Sequence, residues 1–331
     1  SGEVPKENVY TILSVHAGEL IKTKDDFRLM PSLSVDEGTI SMIEFKPRTG
    51  SSMLMTALSE SYGIANWMLL SPYIHEISTD SLDSFVGQIL ATVPTKFITE
   101  NATDEELAEY GLRTNNEYVR VVGGENAEQK GMLEFGNELS DGSGMRYMAI
   151  DNGRTVYAIE EASISWMETP VITLLEKRIV STNIKYMDKM VVTEGTGRTL
   201  EITIERTEKK DSDGNTVKDD EGNIEYNEKF YLNGELKEEK QARILYAKYV
   251  NLMVHGDYDP EKGYDENDLV MSVEFTFSEG MVKQRIISFY GYDKDHYAVI
   301  MDGEPAFYIR KGSVDAALAA NQQFIDGTLQ D

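Results

Sequence analysis

The chain contains no cysteine. That excludes disulfide staples, thiolate nucleophiles and Cys-ligated metals together. Long apolar runs are missing as well. No stretch reaches the roughly 18 consecutive apolar residues that read as a membrane-crossing helix. Basic residues are few: 32 Lys and Arg stand against 58 Asp and Glu, for a formal charge of −26. A field of that sign repels phosphate backbones, so nucleic acid is not an expected partner. It also disfavours docking of the folded part on an anionic membrane surface. Solubility is the simplest reading of the excess acid.

Catalytic signatures are absent too. No Ser stands in a Gly-x-Ser-x-Gly elbow, and Asp141-Gly142-Ser143-Gly144 has no strand leading into it. There is no phosphate-binding Gly-x-x-x-x-Gly-Lys-Ser/Thr loop, and Gly123-Gly124 reads as a turn between strands. The expectation is a non-enzymatic protein with no cofactor.

What is present is repetition. A length of 331 residues, 40% of them hydrophobic, suits about two domains with sizeable cores. Residues 1–38 read as a lead-in, with a strand at Val9–Leu13. The segment from Ile40 to Phe45, the Thr49-Gly50 turn, the alternation through Met53, Met55 and Ala57, and Trp67–Leu70 predict three strands. A helix capped at Ser78 or Thr79 follows, with Leu82, Phe85, Ile89 and Val93 on one stripe before Pro94. Thr103 and Glu106 form a capping box for a short helix closed by Gly111. Strands are predicted at Tyr118–Val122, Met132–Phe135, Arg146–Ile150 and Thr155–Ile159, with a hairpin turn at Asp151-Asn152-Gly153. Residues 161–168 read as helical.

The same order then recurs. Thr196-Gly197 matches Thr49-Gly50, and Leu200, Ile202 and Ile204 match Met53, Met55 and Ala57, all at an offset of 147. Phe230–Leu232 matches Trp67–Leu69 at 163. An acidic insertion at 207–228, punctuated by Asp213-Gly214-Asn215 and Glu221-Gly222-Asn223, accounts for the drift. A helix with Ala242, Leu245, Tyr249 and Leu252 on one stripe follows, then strands at Val270–Phe277 and Ile286–Phe289. Tyr147/Tyr297, Ile150/Ile300 and Gly153/Gly303 are identities at an offset of 150, continued by Ile159/Ile309 and Ser163/Ser313. The reading is an α+β fold: a tandem repeat of an antiparallel-sheet unit, each with one main packed helix. The units span 39–168 and 186–331, joined by a packed connector at 169–185.

Two clusters invite a metal. From Asp211, an EF-hand would need Gly at the sixth position and Glu at the twelfth. Thr216 and Gly222 stand there instead, so a solvated hairpin tip is the better reading. His255, Asp257 and Asp259 alternate, and on an extended segment they would face one side as metal ligands do. A polar loop leaving a helix explains them more simply. His16, His75 and His296 are isolated in sequence. Among 18 tyrosines, Tyr290, Tyr292 and Tyr297 are the candidates for a ligand or partner surface, able to stack on sugars or line a peptide groove.

Several of these features together resemble a bacterial family known only as domain of unknown function 4340. The carrying residues are Trp67–Pro72, the helix with Leu82, Phe85 and Ile89, Glu109–Leu112, Phe135-Gly136, and the hairpin from Arg146–Ala149 to Val156–Ile159. Leu175-Glu176-Lys177-Arg178 is similar to the family's connector. The resemblance implies an exported protein of the bacterial cell envelope, held at the membrane by an N-terminal helix or lipid. It implies a protein partner there, often an ABC transporter of the gliding-motility auxiliary type. It carries no catalytic residues. Ser1-Gly2 reads as an expression scar, so the expectation is that a leader or anchor preceding residue 1 has been removed. The alternative is a glycan- or peptide-binding module that uses a groove between the units.

Overall fold

The computed structural model describes residues 28–113, 117–220 and 222–330. The strand expected at Val9–Leu13 and His16 lie outside them.

The first unit opens with a meander: β1 (Met42–Lys46), β2 (Met53–Ala57), β3 (Trp67–Ser71) and β4 (His75–Ile77). Helix α1 (Thr79–Leu90) and β5 (Lys96–Thr99) follow, then the short α2 (Asp104–Glu109). A second meander closes the unit: β6 (Glu117–Gly123), β7 (Gln129–Glu138), β8 (Met145–Ile150) and β9 (Val156–Glu160). The sheet order is β4-β3-β2-β1-β6-β7-β8-β9-β5. β4 and β5 are therefore the two edges. α1, which joins them in sequence, carries the chain from one edge to the other across the inner face.

The second unit repeats this order without exception. Its strands are β10 (Met187–Glu194), β11 (Thr199–Glu208), β12 (Tyr226–Leu232), β13 (Glu235–Lys237), β14 (Gly256–Asp257), β15 (Leu269–Phe277), β16 (Gln284–Gly291), β17 (His296–Met301) and β18 (Glu304–Arg310). Counting α3 (Val171–Leu174) in the connector, the edge-to-edge helix here is α4 (Glu239–Val250). The sheet order is β13-β12-β11-β10-β15-β16-β17-β18-β14. Register repeats as well. Met42 opposite Thr56 becomes Lys189 opposite Thr203, and Met55 opposite Leu69 becomes Ile202 opposite Leu232. The offsets of 147 and 163 are thus pairing offsets, not only spacings.

Alternation sets the core. Ile43, Phe45, Met53 and Met55 point inward from β1 and β2, and Met190, Val192, Leu200 and Ile202 do so from β10 and β11. α1 is capped by Ser78 and buries Leu82, Phe85, Val86 and Ile89. It ends at Leu90, so Val93 falls beyond it and stands exposed, and the expected stripe is one residue short. Trp166, in the 3-10 turn Glu161–Glu168, sits among Phe45, Phe85 and Phe135 and donates its indole N–H to Thr92 at 3.1 Å. The second unit has a full helix at the corresponding place, α5 (Lys311–Ile325), where one main helix was expected. There Tyr249 donates to Asn321 at 2.6 Å, and Asn321 donates to Glu194 at 3.1 Å, linking α4, α5 and β10. One apolar cluster runs through both units, from Phe85 to Phe324.

Two details differ from the sequence reading. In the Asp151-Asn152-Gly153 turn it is Asp151 and Asn152, not Gly153, that take positive φ. Tyr147 and Tyr297 do not share a face either. Tyr147 packs in a small outer cluster, whereas Tyr297 packs against the main core. A one-residue difference in register moves a strand's side chains to the opposite face.

The connector joins the sheets by backbone. Ser78 N–H donates to Leu174 O and Glu176 N–H to Glu76 O, beside β4. Ile179 N–H donates to Leu252 O and Val254 N–H to Lys177 O, just before β14. Leu174, Leu175, Ile179 and Val180 are buried between the units.

Candidate functional site

A groove of about 810 Å³ lies where the two units meet. The first unit contributes the β1–β2 turn, from Pro47 to Met53, and the Pro72-Tyr73 corner after β3. The segment Glu168–Val171 closes one side, and Asp257, Tyr258, Pro260 and Glu304–Ala306 of the second unit close the other. Pro47, Pro72, Pro170, Pro260 and Pro305 all line it, five of the chain's 8 prolines. Proline fixes φ and supplies no N–H, so these walls are stiff and poor in donors. Among the described residues, the lining side chains carry three carboxylates, Glu168, Asp257 and Glu304, and no Lys, Arg or His. Behind the wall, Arg48 stands 3.6 Å from Glu168 but also pairs with Glu161 and Glu117. The groove remains electronegative.

Asp257 is the unusual acid. Burial pushes its carboxyl above the ordinary range, and Lys177 and Tyr73 oppose that shift. Burial lowers the Lys177 ammonium, whose Nζ donates to Ile172 O. The Tyr73 phenol is raised strongly, by burial first and Asp257 second. Its hydroxyl nonetheless meets no hydrogen-bond partner at bonding geometry. The ring is held edge-on against Phe307 at 4.9 Å. The groove wall therefore sets a buried tyrosine hydroxyl beside the Asp257 carboxylate, a residue that remains exposed on the groove side.

A second feature occupies the outer face of the second sheet. Pairing places Tyr290, Ala298, Tyr308 and Gly256 in one row across β16, β17, β18 and β14. The small Ala298 separates the two rings. A Cβ on Gly256 would stand 2.4 Å from the Tyr308 ring, so only glycine lets that ring lie flat on β14. Tyr292 stacks on Tyr308 at 5.6 Å and meets Tyr258 at 5.7 Å. Tyr264 meets Tyr258 at 6.0 Å and Tyr290 at 5.1 Å. All five rings are half-buried. Lys262 Nζ lies 3.8 Å from the centre of the Tyr292 ring and bonds Asp293 at 2.5 Å. That bond holds the Asp293 carboxyl well below its ordinary range.

Of the tyrosines singled out in the sequence, Tyr290 and Tyr292 join this ladder. Tyr297 does not: it lies on the inner face and donates to Asp315 of α5 at 3.1 Å. Burial and that carboxylate push its phenol to about 12. The candidate metal array of His255, Asp257 and Asp259, for which a polar loop was the preferred reading, is not gathered. His255 stacks on His296 at 5.1 Å, Asp257 faces the groove, and Asp259 accepts from Glu261 N–H at 2.9 Å. Among the described residues no three His, Cys, Asp or Glu come together as metal ligands. His255 and His296, far apart in sequence, are nevertheless neighbours. Asp211 accepts from the N–H groups of Asp213 and Asn215 in its own loop, and Asp219 accepts from Asn223 in the same manner. The insertion is thus two tight Asp-capped loops extending the β11–β12 hairpin. Tyr73, Tyr258, Tyr264 and Tyr308 were not singled out in the sequence. The one signal available was a glycine at 256 ahead of a tyrosine-bearing loop.

Fold and groove define a class: a duplicated α+β protein whose two halves share one core and border a cleft. The chain belongs to the family described as Domain of unknown function (DUF4340), whose profile matches residues 67–238. The match crosses the connector, from β3 of the first unit through β13 of the second. No curated protein and no solved structure matches the chain.

Proposed function

We propose that this protein is a non-enzymatic accessory protein of the bacterial cell envelope that holds an extended, basic segment of a partner protein in the groove between its units. The observation that carries this is the lining: five prolines, Tyr73, Tyr258 and Met53 as stiff or apolar walls, with carboxylates and no cation facing in. Stiff walls lose little freedom on binding, which preserves affinity. The carboxylates select Lys or Arg on the ligand and admit a salt-dependent on-rate. Asp257, exposed on the groove side, is placed to engage one such cation or a backbone N–H. The envelope setting, an anchor ahead of residue 1 and an ABC transporter as partner rest on the family resemblance.

Two experiments test the reading. Extended synthetic peptides carrying Lys and Pro should bind with salt-sensitive affinity, and Glu-for-Lys counterparts should not. Glu304→Lys combined with Asp257→Asn should weaken binding at least tenfold. Equal binding of both peptide sets would refute the charge argument. Capture from solubilised bacterial membranes, with the double variant as control, should recover an envelope or transporter component with the parent chain alone. Recovery of no such component would remove the setting.

A further inference from the structure

We propose that the tyrosine ladder on the outer face of the second sheet is a binding platform for a neutral oligosaccharide, centred on Tyr264 and Tyr292 and adjoining the groove at Tyr258. The duplication supplies an internal comparison. In the first unit the segment between β5 and β6 covers this face. There α2 and the residues after it set Leu107 and Leu112 over Ala149 and Val156, and Tyr110 stacks on Tyr147 at 4.3 Å. In the second unit the corresponding segment, 258–268, contains no helix. It brings Tyr258 and Tyr264 to the sheet in place of leucines, and the face stays half-open. A buried aliphatic seal in one copy is a partly exposed aromatic surface in the other.

The chemistry of the surface selects the occupant. Beside the rings is a shallow recess of about 470 Å³, within the size range of small-molecule sites. Tyr264 and Tyr292 line it together with Asp265, Asp268, Asp293, Lys262 and Lys311. Three carboxylates and two ammonium groups nearly cancel, and Lys262 is already engaged with Asp293. That balance favours neither a polyanion nor a polycation. Tyrosine offers a flat apolar face with a polar tip, which suits the C–H face of a pyranose ring. Carboxylates accept hydrogen bonds from hydroxyls. At Gly291 a Cβ would stand 2.1 Å from Asp268 Oδ2, so the glycine is what lets that acceptor reach the recess.

The test uses the full chain and calorimetric titration with three soluble neutral probes: cellohexaose, chitohexaose and laminarihexaose. At least one should bind with a Kd tighter than about 1 mM. Tyr264→Ala and Tyr292→Ala should each weaken it at least tenfold, and Tyr264→Trp, which keeps a ring, should retain it. Glu168→Lys, on the first unit's side of the groove, should leave it unchanged, which separates this site from the peptide reading. Binding by none of the three probes overturns the proposal. So does binding that is lost in Glu168→Lys and kept in Tyr264→Ala. Concentration-dependent dimerisation abolished by Tyr264→Ala would assign the ladder to a second copy of the chain and overturn it equally.

Discussion

At the scale of the residue, His75 shows how burial and pairing decide behaviour. It is fully buried between the units, edge-on to Phe307 at 5.3 Å. Its Nε2 lies 2.9 Å from Glu176 O. A carbonyl only accepts, so Nε2 carries the proton. Nδ1 is then bare, buried without a hydrogen bond among the described residues, and 3.7 Å from Glu76 Oε2. Burial lowers its pKa, Arg285 adds to that, and Glu76 and Glu176 oppose it. In the unfolded chain the imidazole titrates near 6.5. Below that pH the unfolded state takes up a proton that the folded state refuses. Stability is therefore full above about pH 6.5 and falls as the pH drops towards the depressed folded value. Urea midpoints between pH 7 and pH 5 should fall more steeply for the parent chain than for His75→Gln, which keeps the donor but does not titrate. Parallel profiles would contradict this. Glycines make a second residue-scale test. A Cβ at Gly195 would stand 2.0 Å from Leu269 O, whereas one at Gly87, within α1, meets nothing within 4 Å. Gly195→Ala should destabilise by about 1–3 kcal/mol, and Gly87→Ala should stabilise by about 0.5–1 kcal/mol. Thermal melts of the two variants should shift in opposite directions.

At the scale of the element, the capping box on α2 is formed in both directions: Glu106 N–H donates to Thr103 Oγ1 at 3.2 Å, and Thr103 N–H to Glu106 Oε2 at 2.7 Å. Thr103→Ala should cost about 1 kcal/mol. Because α2 seals the outer face of the first sheet, faster amide exchange should appear in residues 104–112 before it appears in β8. Uniform exchange across both would contradict that order. Elements of this kind were legible because their signals are local. The Ser78 cap, the α1 stripe and the Met53–Ala57 alternation are each contained within a dozen residues. What was not legible were the edges. β4, β5, β13 and β14 have two to four residues each, too short to show a period. They exist because a neighbouring strand offers them hydrogen bonds. α5 was missed since its stripe of Val314, Ala317, Ala320 and Phe324 is built largely from small residues. The groove was harder still: its prolines are scattered from 47 to 305, and only the docking of the two units gathers them. The ladder was half legible, because Tyr290 and Tyr292 stand two residues apart in sequence while Tyr258, Tyr264 and Tyr308 arrive through folding.

At the scale of the whole molecule, duplication supplies two halves with the same wiring, and their differences supply the surfaces. The β3–β4 corner of the first unit docks on the second. Arg285 donates to Ile74 O at 2.9 Å and to Asp302 at 2.8 Å, and Tyr73 and His75 both meet Phe307. That docking fixes the two walls of the groove relative to each other. It also turns Tyr73 and most of the tyrosine ladder to opposite sides of β18, since Phe307 and Tyr308 point to opposite faces there, and Tyr258 alone of the five rings lines the groove as well. The central claim is that the groove takes a basic, extended segment. Hydrogen–deuterium exchange of the full chain, with and without a saturating Lys- and Pro-containing peptide, tests it most directly. The account predicts protection confined to the groove walls: residues 47–53, 72–73, 168–171, 257–260 and 304–306, with the acidic loops at 211–223 unchanged. Protection centred on those loops, with the groove unaffected, would show that the peptide follows the net charge of the chain and would contradict the account.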